Sequence, residues 1–303
     1  MTITHKKAAQ ILKNWNMGNE TITDIYYEGT GNKKDSACYV GDGYVLKYTA
    51  NLGKLKKHIE VSKAIHSIGL LSAIPVLTAE GKDYIQDGEV YYYLTRRLPG
   101  EQMVAHRFED GDGRFVGEIL GQLHLALRGI EDCVSEADLL ATVKDWAFPK
   151  AKVALHLSDA FCKDYLDTFA GLYPNLPRQI IHRDPNPGNI ICADDQWGFI
   201  DFELAERNVR IYDPCYAATA VLSETFKEDN DHWLETYRDI ICGYDSVAKL
   251  TDEERKAIPY VILANQFVCV AWFAEQDKYA EIFETNKRMT AWLIEKFEEL
   301  KDI

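Results

Sequence analysis

The segment "IIHRDPNPGNIICADDQWGFIDFE" (180–203) sets His182, Arg183, Asp184, Asn186 and Asn189 between apolar runs. Such residues handle protons, cations and anions. Pro185, Pro187 and Gly188 forbid a helix between Ile181 and Ile190, so the polar residues sit on a shaped loop flanked by strands. Asp201 follows "GFI" at the end of an apolar strand, where a carboxylate is costly unless paired or bound to a cation. Asn189 offers a neutral oxygen. The two together make a hard-oxygen donor set suited to Mg²⁺, which takes one or two protein ligands plus phosphate oxygens and water. Asp184, five residues before Asn189, is spaced to accept a proton from an attacking hydroxyl while a metal neutralises leaving phosphates. The bland alternative is an Asx-turn pair in an ordinary loop. His182 reads as a structural prop, and Asp213, before Pro214, as a turn or cap residue.

The surrounding elements have to position these groups. Residues 4–16 read as a helix capped by Thr4, with Ala8, Ile11, Leu12 and Trp15 on one face. From 22 to 49 short β-branched and aromatic runs separated by "GTGNKKD" and "GDG" predict antiparallel strands. Residues 53–68 predict a helix with Leu55, Ile59, Ala64, Ile65 and Ile68 as apolar positions. "DYIQDGEVYYYLTR" predicts a hairpin turning at Asp87-Gly88. After Gly100 strands are scarce and helical spacing dominates, apart from the polar hairpin at 180–203. The expected architecture is therefore α+β: an antiparallel-sheet part over 1–97, a hinge, and a larger, mainly helical part over 98–303.

The first part supplies two more candidates. "YVLKY" puts Lys47 on the third strand, and Glu60 is the only acid between Asp42 and Glu80, on the helix that follows. A Lys47–Glu60 pair would hold an ammonium on the α- and β-phosphates of a nucleotide. "GTGNKKDS" (29–36) would cover that nucleotide.

The combination of "HRDPNPGN", "IDFE", Lys47 and Glu60 resembles the aminoglycoside phosphotransferase / choline kinase superfamily of small-molecule kinases, over essentially the whole chain. Arg183 and Asn186 stand where that family usually has Gly and His. The resemblance implies a bilobal, protein-kinase-like fold. It makes Asp184 the catalytic base, Asn189 and Asp201 the Mg²⁺ ligands, and Lys47 with Glu60 the ATP clamp. Ser36 would touch the phosphates, and the backbone of Arg96 and Leu98 would meet the adenine. Asp213 lies only 12 positions after Asp201. No activation segment fits there, which argues against a docked protein substrate. The acceptor expected is a hydroxyl on a small molecule: an amino-sugar, choline or ethanolamine, homoserine, or a sugar. A protein of this fold that binds nucleotide without catalysis and acts by interaction is the alternative.

Composition bounds the partners. The 303 residues carry a formal net charge of −14, divided as +3 over 1–100, −7 over 101–200 and −10 over 201–303. An acidic chain argues against nucleic acid, whose phosphates select basic surfaces. The acidic later part favours a cationic acceptor, or simply provides a solvated surface. Trp233, Tyr237, Trp272 and Phe273 are candidates for an aromatic box around such a cation, and equally for core packing. No run reaches the roughly 18 uninterrupted apolar residues of a membrane helix; "YVILANQFVCVAWFA" (260–274), broken by Asn265 and Gln266, reads as a core helix. The N-terminus lacks the apolar centre of a secretory signal. Seven scattered cysteines without a CxxC pair suggest reduced thiols in a cytoplasm, and no zinc site.

Overall fold

The computed structural model describes residues 3–26, 33–67, 69–104, 108–128, 130, 134–193, 196–226 and 230–303. In chain order its first elements are α1 (His5–Leu12), β1 (Ile22–Tyr26), β2 (Lys33–Val40), β3 (Tyr44–Thr49) and α2 (Leu52–Ser67). The short strands β4 (Leu71–Ser72), β5 (Pro75–Val76) and β6 (Ile85–Asp87) lead into β7 (Val90–Arg96) and β8 (Glu101–Gln102). Helices follow: α3 (Asp112–Leu127), α4 (Leu139–Thr142), α5 (Phe148–Leu155) and α6 (Asp159–Leu172). Then come β9 (Arg178–Ile181), β10 (Ile190–Ala193), β11 (Gln196–Phe199) and β12 (Glu206–Val209). The chain finishes with α7 (Tyr212–Thr225), α8 (Asp231–Val247), α9 (Asp252–Phe273) and α10 (Ala280–Glu295). By contacts it divides into two units, Met1–Glu101 with Ile191–Glu203, and Gln102–Ile190 with Leu204–Ile303. The expected boundary at 97/98 gives 191–203 to the second part. These residues group with the first because β11 pairs in parallel with β4, Gly198 opposite Leu71. Only glycine fits at 198, since a Cβ there would lie 2.3 Å from the Leu71 carbonyl oxygen.

In the first unit the main sheet runs β1-β2-β3-β7-β5, with β6 also paired to β7. The β6–β7 hairpin turns at Gly88, φ +63°, where the sequence expects it. Thr4 caps α1 by accepting from the Lys7 N–H at 3.2 Å. That helix lays Ala8, Ile11 and Leu12, with Trp15 just beyond it, against Cys38, Val40, Leu46, Tyr48, Tyr92 and Leu94 of the sheet. Leu55 and Ile59 of α2 pack with Tyr93 in a separate cluster. This alternation follows from the strand period of two: Tyr92 and Leu94 face α1 while Tyr93 faces α2.

The second unit is mainly helical, and β9 pairs antiparallel with β12, Ile181 opposite Glu206. The polar segment is therefore not one simple hairpin. The strand before the loop joins β12, while the strand after it, β10, neighbours β11. Helix α9 is long and apolar enough to cross a membrane by length and composition, yet 67% of that window is buried, with Asn265 and Gln266 inside. Thr251 and Glu254 form a capping box at its start. Glu254 also takes the buried Arg210 guanidinium at 2.7 Å on both oxygens. The six described cysteines form no disulfide with one another.

Helices α3 and α8 approach closely because glycines face the contact. A Cβ on Gly117 would stand 2.0 Å from the Ile240 carbonyl oxygen and 2.6 Å from the Tyr244 nitrogen. These are backbone atoms and cannot turn aside. Gly117→Ala should therefore destabilise the fold by about 1–3 kcal/mol despite alanine's better helix propensity. A fall in Tm of several degrees by calorimetry checks this. Gly171→Ala on α6, where nothing lies within 4 Å of the new Cβ, should hold or raise Tm.

Candidate active site

The polar loop is built on a buried anchor. Asp213, in the first turn of α7, is fully buried. Its Oδ2 accepts from the His182 backbone N–H at 2.7 Å and its Oδ1 from that of Arg183 at 3.0 Å. His124 Nε2 lies 2.9 Å from Oδ2, and its Nδ1 lies 2.8 Å from the Tyr244 hydroxyl. Burial pushes the Tyr244 phenol up, which keeps it protonated. Asp213 thus makes no helix-capping bond, contrary to the reading as a turn or cap residue. Its charge is met by two amides and a histidine, the partners a buried carboxylate needs. Arg183 takes φ +78°, the left-handed region. Its guanidinium stacks 4.2 Å over the Tyr212 ring, and its Nε lies 2.8 Å from Glu206 Oε1. That is a local ion pair.

Beyond this anchor comes Asp184, which is half-buried. Its backbone N–H donates to His182 Nδ1 at 3.3 Å. Its Oδ1 accepts from Asn186 Nδ2 at 2.9 Å and its Oδ2 from Asn189 Nδ2 at 3.3 Å. Asn189 closes a 3₁₀ turn begun by Pro187 and also gives Nδ2 to the Asp184 carbonyl at 2.9 Å. Both Asp184 oxygens are thus oriented by neutral amides that leave the carboxylate charge in place. Two neighbours escape a reading of the sequence alone. Burial pushes Tyr216 well up, helped by the charge of Asp184 and a hydrogen bond to it. Burial pushes Cys269 up to about 11, with the charges of Arg183 and Asp184 acting in opposite senses. The only signal for Tyr216 is its spacing, three residues after Asp213 on one helix.

The first unit carries the other group. Lys47 pairs with Ala37 of β2 and Tyr93 of β7 across the sheet. Its Nζ lies 3.9 Å from Asp201 Oδ1, and Lys34 Nζ lies 3.9 Å from Oδ2. Asp201 has φ +72°, a strained state for a non-glycine residue and one typical of functional positions. Burial and the charge of Asp201 push the Glu203 carboxyl up, against the pull of Lys47, Lys54 and Lys34.

The expected Lys47–Glu60 clamp does not form. Glu60 is exposed, whereas α2 buries Leu55, His58, Ile59, Val61, Ser62 and Ile65. Glu60 lies about 200° around the helix from His58. His58, with Ser62, is turned inward by α2, and its ring lies 5.4 Å from that of Tyr93 and 6.5 Å from that of Phe202. Ser36 is half-buried on β2 with φ +65°. Residues 29–32 of the expected covering loop lie outside the described residues. Arg96 ends β7 opposite Tyr44, and Leu98 is half-buried just beyond. The aromatic box does not assemble either. Trp233 and Tyr237 are core, stacked on each other and bonded to the Ala218 and Leu300 carbonyls. Trp272 and Phe273 cluster instead with Tyr279, and Glu275 is paired to Lys150.

Among the described residues no three His, Cys, Asp or Glu side chains are grouped to hold a metal. The candidate donors are two oxygens. Asn189 commits Nδ2 to Asp184, which leaves Oδ1 as a neutral oxygen donor, and Asp201, in the other unit, has Lys34 and Lys47 each at 3.9 Å. Each is by itself an oxygen of the hard type that Mg²⁺ takes.

Comparison with known proteins places the chain. Homoserine kinase of Zymomonas mobilis subsp. mobilis (strain ATCC 31821 / ZM4 / CP4) is 32% identical over 158 residues, 48% of this chain and 46% of that protein. The chain thus matches about half the length of such relatives. Two solved structures share its fold at low identity. One is an amicoumacin kinase in complex with AMP-PNP, Ca²⁺ and Ami, with TM-score 0.68, 16% identity and coverage of 98% of this chain and 92% of that one. The other is a microcompartment-associated aminopropanol kinase, with TM-score 0.69, 15% identity and 96% of each chain covered. The fold is thus the protein-kinase-like fold of small-molecule phosphotransferases. The family model described as "Phosphotransferase enzyme family" matches residues 37–250, and the chain belongs to that family.

Proposed function

We propose that the protein is an ATP- and Mg²⁺-dependent kinase that transfers the γ-phosphate to a hydroxyl of a small, amine-bearing alcohol. The observation that carries this reading is the presentation of Asp184. Its two oxygens are oriented by Asn186 and Asn189 on a loop whose backbone is fixed by Asp213. A carboxylate so held can take the proton of an acceptor hydroxyl at one oxygen as the hydroxyl attacks. Lys47 holds phosphate oxygens of ATP, with Asp201 beside it. Ser36 and the backbone of Arg96 and Leu98 remain candidates for the phosphate loop and the adenine. By the family resemblance, Asn189 and Asp201 would be the metal ligands. The chemistry a bound Mg²⁺ would supply is neutralisation of charge on the phosphates. Little covalent work is left to the protein, so positioning supplies most of the rate.

The acceptor class rests on two supports. Relatives and fold neighbours are named as kinases of homoserine and aminopropanol, compounds that join an amine to a hydroxyl. The acidic excess over residues 101–303 favours the same sign of ligand. Homoserine is the first compound to try.

Two outcomes follow. Asp184→Asn should lower kcat by about 10²–10⁴-fold with Tm unchanged, because it removes the base and keeps the shape. Full activity in that variant would end the mechanism. In an ADP-release assay over homoserine, aminopropanol, choline, ethanolamine, an aminoglycoside and a neutral sugar, amine-bearing alcohols should turn over best. Preference for the neutral sugar would remove the acceptor assignment. Nucleotide binding without turnover on any compound would favour a non-catalytic role.

A further inference from the structure

The second unit contains a cavity of about 640 Å³, between the C-terminal ends of α3 and α8 and the β9–β12 pair. Leu125, Ile180 and Val247 give it an apolar side. The rest of its lining includes five cationic side chains, Arg128, Arg178, Arg207, Arg210 and Lys249, and no acidic one. This stands out in the stretch 101–303, which is strongly acidic. Strand register puts two of the arginines on one face: Arg207 stands opposite Ile180, and Arg178 lies two residues before Ile180 on β9.

The neighbouring carboxylates do not match this charge. Glu136 is exposed and serves two arginines, lying 3.4 Å from Arg178 and 3.1 Å from Arg207. Asp245 is shared between Lys249 at 2.9 Å and Arg255 at 2.7 Å. Glu254 takes Arg210, which is 4% exposed and gives Nη2 also to the Lys249 carbonyl. Arg128 has no carboxylate partner among the described residues, which do not include Glu131 and Asp132. At ion-pair distance, six described cations thus meet three carboxylates. Arg178 is also held in place by the Ala137 carbonyl and by the Tyr173 hydroxyl at 3.3 Å. Helix C-termini attract cations, which accounts for Arg128 and Lys249 singly. It does not account for two strand arginines lining the same cavity.

We infer that this cavity is a binding site for a phosphate dianion, free or carried on a small organic molecule. Guanidinium forks match phosphate oxygens in pairs, and the apolar side leaves room for an organic body. The site is independent of the transfer chemistry proposed above, to which none of these residues is assigned.

Titration calorimetry at fixed ionic strength tests this with two probes, inorganic phosphate and glycerol 3-phosphate. The wild type should bind, and Arg128→Gln and Arg207→Gln should each weaken binding about tenfold. Lys163→Gln, which removes an exposed cation on α6, should match the wild type, and so should Lys47→Gln. Tighter binding of glycerol 3-phosphate would assign an organic phosphate, and equal binding the free ion. No binding by the wild type would overturn the site. So would an equal loss in Lys163→Gln, which reduces the effect to net charge. Loss in Lys47→Gln with full binding in both arginine variants would overturn it too, by moving the anion to the nucleotide-binding residues.

Discussion

A carboxylate buried where water cannot reach it must be met completely, and Asp213 is the place where this chain accepts that demand. With 0% of its side chain exposed, it has the N–H groups of His182 and Arg183 and the ring of His124 as partners. Any loop conformation that withdraws those amides leaves a bare charge in the core, at a cost of about 3–5 kcal/mol. The loop is therefore held in one shape. It tolerates a left-handed Arg183 and carries Asp184 just past a buried strand. The chain spends core polarity, at Tyr244, His124 and Asp213 in sequence, to make a half-buried carboxylate rigid.

Rigidity matters because of the chemistry proposed. Phosphoryl transfer needs little more than charges held in the right places. In each unit the sequence supplies groups of the appropriate kind on firm supports. Asp184 and Asn189 stand on a loop braced by α7, and Lys47 stands on a central strand of the main sheet. Asp201 follows β11 in a strained backbone conformation of the sort that persists where function requires it.

Much of this was legible in the residues. Prolines and glycine in "DPNPGN" announce a loop, and alternation in "YVLKYT" announces the strand that carries Lys47. The Thr4 cap and the Gly88 turn are local, and local signals carry well. Glu60 misled because it was chosen for its charge and its neighbourhood in the chain. The apolar rhythm from Leu55 through Ile59 to Ile65 already put His58 and Ser62 on the inward face and Glu60 outside. Trp233 and Tyr237 attracted attention as aromatics, yet each satisfies its polar atom on a backbone carbonyl and serves the core. The His124–Asp213 contact was beyond reach, since it joins residues 89 apart that carry no shared local pattern.

The central claim is that the buried anchor makes the catalytic loop what it is. The direct measurement combines amide hydrogen exchange at His182 and Arg183 with phosphoryl-transfer kinetics in Asp213→Asn, which keeps the volume but swaps an acceptor for a donor. The account predicts that protection at these two amides drops while that of α9 persists, and that kcat drops with it while the KM for ATP stays within about twofold. Loss of protection with undiminished kcat would contradict it.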